Sequence, residues 1–452
     1  MTNIDITHTL SSYNYNAIIN RPSGVWLKAD QTGKLERVSG IGKLFFIIKN
    51  ILTCNQTVKR TASVINQTCL QLVNSVQNAS NEPLSKDNSF IQEYASDIQK
   101  LIQSVKKISP RLYDPSTLND LKDLVKRPEV AEAKLALKKG QTPELLSDGV
   151  NGSYILKDRN GSPLGIFKPR EQEVGCSQNP KHFALMGDLV QKQFGIKPGT
   201  SYQRERVAYL LDQEGFANVP KTDIARIAKR HFRYYEEGHY TGSFQRFIPG
   251  CKHAWDHYQI LPSFLSSARG HLIPEHEIHK IAILDIRLLN CDRHLQNFLV
   301  DDKWNTHPID HGYTLPSNAS SLRFNWMNFS QSKTAFTDEE CEYIQSLDVN
   351  RDLALIKKKI PSISAEALFR FKIASLLLKK AAERGLTPYQ IGELMIGKSP
   401  DNMSAWINYF LPVAATNKPS YFETRICKPL IGKDDDEINN FLDRKISSYL
   451  NQ

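Results

Sequence analysis

Two short stretches of this chain carry residue types that do chemistry together. In Asp292-Arg-His-Leu-Gln-Asn297 an aspartate and an asparagine stand five residues apart on one polar loop. In Ile309-Asp-His-Gly312 a second aspartate follows a short apolar stretch, so a hairpin can bring it back to the loop. Carboxylate and amide oxygens of this kind suit Mg²⁺. Phosphoryl transfer is mostly positioning and electrostatics: a cation on the phosphates, oxygen ligands for a metal, and a group beside the acceptor hydroxyl. Read this way, Asn297 and Asp310 share metal ions and Asp292 faces the acceptor. Taken singly, each of the three reads as a surface or capping polar group; their joint order points to phosphotransfer. His294 in the same loop is either a contact for developing phosphate charge or a hydrogen-bonded loop residue.

The cation is expected further upstream. Ser153-Tyr-Ile-Leu-Lys-Asp158 and Pro163-Leu-Gly-Ile-Phe-Lys168 flank Arg159-Asn-Gly161. Two β-rich segments around Asn-Gly predict a hairpin. Lys168 ends its second strand, beneath a glycine-bearing turn, Asp148-Gly-Val-Asn-Gly-Ser153, whose backbone can approach phosphates closely. Many hairpins end in lysine, so the feature gains weight only from its company. Glu205, on a helix expected over Gln203 to Asp212, can pair with Lys168 and hold it straight.

The elements that must position these groups are legible in the hydrophobic spacing. Ile278, Ile281, Ala282, Leu284, Leu288 and Leu289 predict a long helix from Glu275 to Asn290. A short strand, Asn297 to Val300, follows the polar loop. Gly242 to Ile248 reads as a strand ended by Pro249-Gly250. Helices are expected from 338 to 398, including Leu368 to Arg384. Residues 1–37 look irregular, and the pattern from 41 to 140 is helical, with Ile91, Tyr94, Ile98, Leu101, Ile102 and Val105 at three- and four-residue spacing. Leu118, Leu121, Leu124 and Val125 continue it. Helices, then a strand-rich part, then a helix-rich part make an α+β chain rather than a doubly wound sheet.

Bulk composition narrows the partners. The 452 residues carry a net charge of +10, which suits a phosphate-rich ligand, an anionic membrane or nothing more than a solvated basic surface. No aromatic-basic interleaving supports a nucleic-acid binder, and none is expected. Seven scattered cysteines without a CxxC pair read as free thiols in a reducing compartment. Glu275-His-Glu-Ile-His279 is one residue too short for the HExxH zinc pattern. The most apolar early stretch, Ile41 to Thr53, is interrupted by Lys43 and Lys49 and falls short of the roughly 20 residues a spanning helix needs. The chain therefore reads as soluble and cytoplasmic, without a transmembrane segment.

Leu284-Asp-Ile-Arg-Leu-Leu-Asn-Cys-Asp-Arg-His-Leu-Gln-Asn-Phe-Leu-Val300 resembles the catalytic loop of the phosphatidylinositol 3-/4-kinases. Pro308-Ile-Asp-His-Gly-Tyr-Thr-Leu-Pro316 is similar to that family's metal-binding segment, the counterpart of the DFG segment of protein kinases. Ile166-Phe-Lys-Pro169, Val207-Ala-Tyr-Leu-Leu-Asp212 and Gly242-Ser-Phe-Gln-Arg-Phe247 extend the likeness, in order, over about 140–400. It is strongest to the type II phosphatidylinositol 4-kinases of the plant gamma group. The resemblance implies a two-lobed kinase fold and Mg-ATP, with Mn²⁺ as an alternative ion. It implies Ser153 and Lys168 at the ATP phosphates, Glu205 orienting Lys168, and Gln245 to Phe247 as the hinge against adenine. It implies Asp292 acting on the acceptor and Asn297 and Asp310 on Mg²⁺. The cysteine-rich, lipid-modified insert of the animal enzymes is absent; Gly175-Cys-Ser-Gln-Asn-Pro180 stands there. The ubiquitin-like domains of the plant group are not recognisable in 1–140.

The resulting expectation is a helical extension at 1–140, a strand-rich lobe at 141–250, a helical lobe with the catalytic loop at 251–400 and a helical tail at 401–452. Its reaction is γ-phosphoryl transfer to a hydroxyl, with protein Ser/Thr slightly favoured over phosphoinositide as acceptor. A pseudokinase holding nucleotide or acidic head groups is the rival, and it is opposed by the joint presence of Lys168, Asp292, Asn297 and Asp310. A polyanionic regulator, an inositol polyphosphate or an anionic membrane surface, is expected on basic clusters at Lys134, Lys138 and Lys139 or at Lys357, Lys358 and Lys359. A eukaryote-like kinase core with unfamiliar flanks also suits a bacterial effector exported into a host cytosol, peripheral at membranes.

Overall fold

The computed structural model describes residues 126–232, 237–259, 273–319, 322–396 and 420–451, with Asp123 and the backbone of three short strands near the start. Contacts divide the chain into two compact units, residues 1–141 with 157–162, and residues 142–156 with 163–452.

In the first unit, β1 (Ile18–Asn20), β2 (Trp26–Ala29) and β3 (Leu35–Arg37) form an antiparallel sheet in that order, where the sequence led us to expect no regular structure. Such short strands are too brief for a period-2 pattern to register. Helix α1 (Pro128–Lys138) starts on a proline, whose missing N–H costs nothing in the first turn. Its Glu132 accepts from Arg159 Nε at 2.9 Å. Lys134, expected in a basic cluster open to a polyanion, is mostly buried and bound to Asp123 at 2.6 Å. The periodic residues from Ile91 to Val105, and those at Leu118, Leu121, Leu124 and Val125, lie outside the described residues.

The second unit opens on strands: β4 (Glu144–Leu145), β5 (Tyr154–Lys157) and β6 (Pro163–Pro169). Next come α2 (Gly187–Phe194), α3 (Ser201–Leu211), β7 (Thr222–Ala228) and β8 (His239–Arg246). The strands make one sheet of order β4-β5-β6-β8-β7, so the hairpin predicted around Asn160-Gly161 supplies two adjacent strands. Side chains alternate along β6: Phe167 is fully buried, while Lys168 points to the opposite face. Gly242 of β8 pairs with Pro169, and a Cβ there would stand 2.1 Å from the carbonyl oxygen of Lys168. Only glycine lets β8 approach β6 closely enough to fix the backbone that carries Lys168.

The chain continues through β9 (Lys252–His253), α4 (Ala254–Gln259), α5 (Glu275–Leu288), β10 (Phe298–Val300) and β11 (Thr306–Pro308). Helix α5 is buried on nearly every side, and its buried charged groups Asp285 and Arg287 are paired, to Arg293 and Asp352. Ile278, Ile281 and Ile286 join a core with Phe298, Trp326 and Leu377, while Leu284 and Leu288 face Val207, Leu211 and Phe371. The hairpin expected after Asn297 is present: Phe298 pairs with Pro308 and Val300 with Thr306, and β9 adds a third strand. Helices α6 (Asp338–Ser346), α7 (Val349–Lys359), α8 (Ala365–Glu383) and α9 (Pro388–Ile396) follow. A π-helical segment, Phe422–Cys427, and α10 (Asp435–Leu450) complete the described chain. Among the described residues no helix is long and apolar enough to cross a membrane.

Candidate active site

Three elements converge on Lys168. Its ammonium donates to Glu205 Oε1 at 2.7 Å and also contacts the carboxylate of Asp310. Glu205 comes from α3 and is buried; its other oxygen accepts the backbone N–H of His311 at 3.1 Å. One carboxylate thus holds both the lysine and the segment that follows Asp310. Burial works against the charge of Lys168, yet Asp310 and Glu205 outweigh it and raise its pKa above the ordinary lysine value. Burial raises the pKa of Glu205 against the pull of Lys168. Burial also acts against the Asp310 carboxylate, but Lys168 overcomes it and holds the pKa at about 2. Asp310 has φ +59°. A left-handed aspartate is tolerable because its short polar side chain bonds locally, and it turns the chain into the helical turn His311–Tyr313. Arg204 of α3 secures that turn's end, donating to the carbonyl of Thr314 at 2.9 Å.

The polar loop lies between α5 and β10. Asn297 is buried and donates its amide to the carbonyl of Asp292 at 2.8 Å, which leaves its amide oxygen as an electron-pair donor. Asp292 is partly exposed, with Arg323 at 3.7 Å and His294 Nε2 at 3.7 Å. Burial raises the Asp292 pKa to about 7, with Arg323 pulling it down and Asp310 pushing it up. Burial lowers the His294 pKa to about 4, with the Arg323 cation acting in the same direction, so the imidazole is neutral near pH 7.

The donor set suits Mg²⁺: hard oxygens from one or two carboxylates and an amide, where a metal keeps waters and takes further oxygens from phosphates. The ammonium of Lys168 on Asp310 stands in for a cation at one of those oxygens. The second histidine of Glu275-His-Glu-Ile-His279 is engaged inside the protein. That ring is buried, with Glu340 at 2.8 Å and the carbonyl of Gln331 at 2.9 Å on its two nitrogens.

The remaining expected residues have other hydrogen-bond partners. Gln245 is buried and donates its amide to the Thr222 hydroxyl at 3.2 Å, so its side chain is committed inside the sheet. Phe247 is half-buried and its N–H bonds the carbonyl of Leu164 at 3.0 Å. Ser153 gives its carbonyl to Leu146 N at 2.9 Å. The glycine-bearing turn before it is pinned by residues the sequence reading did not single out. Lys181 Nζ donates to the carbonyls of Asp148 and, at 3.0 Å, Gly149; Asn179 donates to Val150 O at 2.9 Å. A Cβ at Gly152 would stand 2.8 Å from Gln172 Cβ, so a side chain there would push the turn away from Gln172. Asn179, within the 175–180 stretch that stands where the animal enzymes carry their insert, and Lys181 just after it clamp the turn.

A model of the family described as phosphatidylinositol 3- and 4-kinase matches residues 149–391, more than half of the chain and all of the cluster from Lys168 to Asp310. The chain belongs to this family. It is 32% identical over 323 residues to phosphatidylinositol 4-kinase gamma 2 of Arabidopsis thaliana, covering 65% of this chain and 56% of that protein. It is 34% identical to phosphatidylinositol 4-kinase gamma 4 of Oryza sativa subsp. japonica, over 57% of this chain and 46% of the relative. It is 35% identical to phosphatidylinositol 4-kinase gamma 6 of Arabidopsis thaliana, over 58% and 44%. The chain spans about half the length of the curated relatives it matches.

Proposed function

We propose that this kinase-family chain transfers the γ-phosphate of Mg-ATP to a hydroxyl of phosphatidylinositol. The observation that carries the phosphotransfer reading is the lysine of the sheet held between the helix carboxylate Glu205 and the loop carboxylate Asp310. The names of the relatives support a lipid acceptor over the protein Ser/Thr acceptor favoured from the sequence. Protein hydroxyls are the second reading.

In this proposal Lys168 binds the ATP phosphates and Glu205 holds its ammonium straight. The turn ending at Ser153 covers the phosphates, and the backbone of Gln245 to Phe247 borders the adenine. Asn297 and Asp310 would hold Mg²⁺, or Mn²⁺ in its place. When bound there, the metal would supply positive charge for the oxygens of the transferring group. Asp292 takes the proton of the acceptor hydroxyl as its oxygen bonds to the γ-phosphorus and the bond to the β-phosphate oxygen breaks. A base with a pKa of about 7 is suited to that transfer near neutral pH. Neutral His294 offers a hydrogen bond beside it. A polyanion, an inositol polyphosphate or an anionic membrane surface, is proposed as regulator at the exposed Lys357, Lys358 and Lys359 that end α7. Calorimetric titration and vesicle flotation test it; no heat and no flotation at low salt remove it.

The deciding experiment incubates the protein with Mg²⁺ and radiolabelled ATP, offering phosphatidylinositol vesicles and general protein acceptors separately. Labelled phosphoinositide is the expected product. Label only in protein favours the second reading, and label in neither removes the proposal.

A further inference from the structure

Arg293 lies inside the polar loop and is fully buried. Its guanidinium grips Asp285 of α5 at both oxygens, Nε to Oδ2 at 2.8 Å and Nη2 to Oδ1 at 3.1 Å; Asp285 is fully buried as well. Its remaining arm, Nη1, donates to the carbonyl of Asn297 and to the carbonyl of Ile309 at 2.9 Å. Ile309 immediately precedes Asp310. One planar group therefore joins the backbones of the two segments that carry the oxygen donors Asn297 and Asp310. The outer end of the strut is Asn290. Its amide donates to Asp285 Oδ1 at 2.9 Å and its oxygen accepts the N–H of Asp292 at 2.9 Å.

We infer that Arg293, anchored by Asp285 and Asn290, is a positioning residue that sets the separation of Asn297 and Asp310 and so the affinity and geometry of the divalent cation between them. The inference rests on the reading of Asn297 and Asp310 as metal ligands. Three features support it over a general structural role. The two acceptors are backbone carbonyls at the open end of the β10–β11 hairpin, past its last pair Phe298–Pro308, where the backbone bond from Ile309 N to Asn297 O at 3.0 Å stands beside them. The fork geometry that reaches a carboxylate and two carbonyls at once belongs to a guanidinium; an ammonium on a lysine stem reaches one side only. Groups that orient metal ligands from behind typically change metal affinity by about 10–100-fold when altered.

The test is Mn²⁺ binding, followed by electron paramagnetic resonance with ADP present, which requires no turnover and no acceptor. Arg293→Lys keeps the charge and loses the fork. Its Mn²⁺ dissociation constant is expected to rise about tenfold or more, with metal-free ADP affinity within about twofold of the native value, as a site perturbed only at its metal end requires. In the phosphotransfer assay, the Mg²⁺ concentration for half-maximal rate should rise in parallel. Asn290→Ala removes only the outer end and should shift the same constant less, in the same direction. It also serves where Arg293→Lys fails to fold. Unchanged Mn²⁺ affinity in a folded Arg293→Lys or Asn290→Ala protein overturns the inference. Equal losses of Mn²⁺ and metal-free ADP binding overturn it too, because they mark a general loosening of the site. If the native protein binds no Mn²⁺ with ADP, the metal-ligand reading itself fails, before the variants are compared.

Discussion

Arg293 and Arg370 grip carboxylates in the same way and end differently. Arg370 of α8 binds both oxygens of Glu423, at 2.7 and 2.6 Å, and its spare arm returns to the carbonyl of Glu366 in its own helix at 3.0 Å. It fastens the π-helical segment to α8. Arg293 binds Asp285 equally well, but its spare arm crosses to the two loops that carry Asn297 and Asp310. A buried ion pair is weak evidence of function, or even of stability, because desolvation offsets much of its Coulombic gain. Its further hydrogen bonds distinguish the two: one closes within its own helix and the other sets a distance between chemical groups.

Variants can break or sharpen this contrast. The largest effect is expected at the site itself. Asp310→Ala should lower phosphotransfer about a thousandfold, the equivalent of several kcal/mol of lost charge stabilisation, with an unchanged circular dichroism spectrum. Near-native turnover in a folded Asp310→Ala protein removes the reading of the cluster. Lys168→Ala should cost about a hundredfold in kcat/KM for ATP, the loss of one preorganised cation. Lys168→Arg should not restore it, since a wide fork does not fit between Glu205 and Asp310; recovery of most activity argues that Lys168 does not touch phosphate.

Arg370→Met tests the other side of the comparison. It leaves Glu423 buried without its partner and should cost about 3 kcal/mol of stability by denaturant titration. The kcat of the folded fraction should stay at the native value. A changed kcat would mean that both arginines act on the site and the distinction fails. The smallest effect concerns pH. With the Asp292 pKa at about 7, kcat/KM should fall as pH drops through that value, because the protonated acid cannot accept a proton. Arg323 favours the carboxylate form; Arg323→Gln should therefore move the acid limb to higher pH, by up to about one unit. A limb that stays put assigns the titration to another group.

Legibility from the sequence follows how local each feature is. The polar loop and the hairpin after it were readable because Asp292, Asn297 and Asp310 lie within one short stretch whose turn and strand lengths fix their approach. Helix α5 and the β5–β6 hairpin were readable from periodicity and from Asn-Gly. The pairing of Lys168 with Glu205 was anticipated, whereas the second carboxylate on that lysine, Asp310, stands 142 residues away and was not. Gln245, expected at the adenine hinge, stands opposite Thr222 in the β7–β8 register, and its side-chain amide donates to that hydroxyl, a cross-strand contact that no local pattern shows.

The sequence by itself determined the residue types of the site, their order along the chain and the local elements beneath them, since turn chemistry and hydrophobic period act over a few residues. Only the tertiary structure decided which charges are shared and which are buried. An arginine in a polar loop reads as solvent-facing, and an aspartate in the middle of a helix has no visible partner. Arg293 and Asp285 meet because α5 is enclosed by the surrounding core and leaves them no water. In that setting each is the other's counter-charge, and the guanidinium's remaining donors must find the carbonyls of the loops around them.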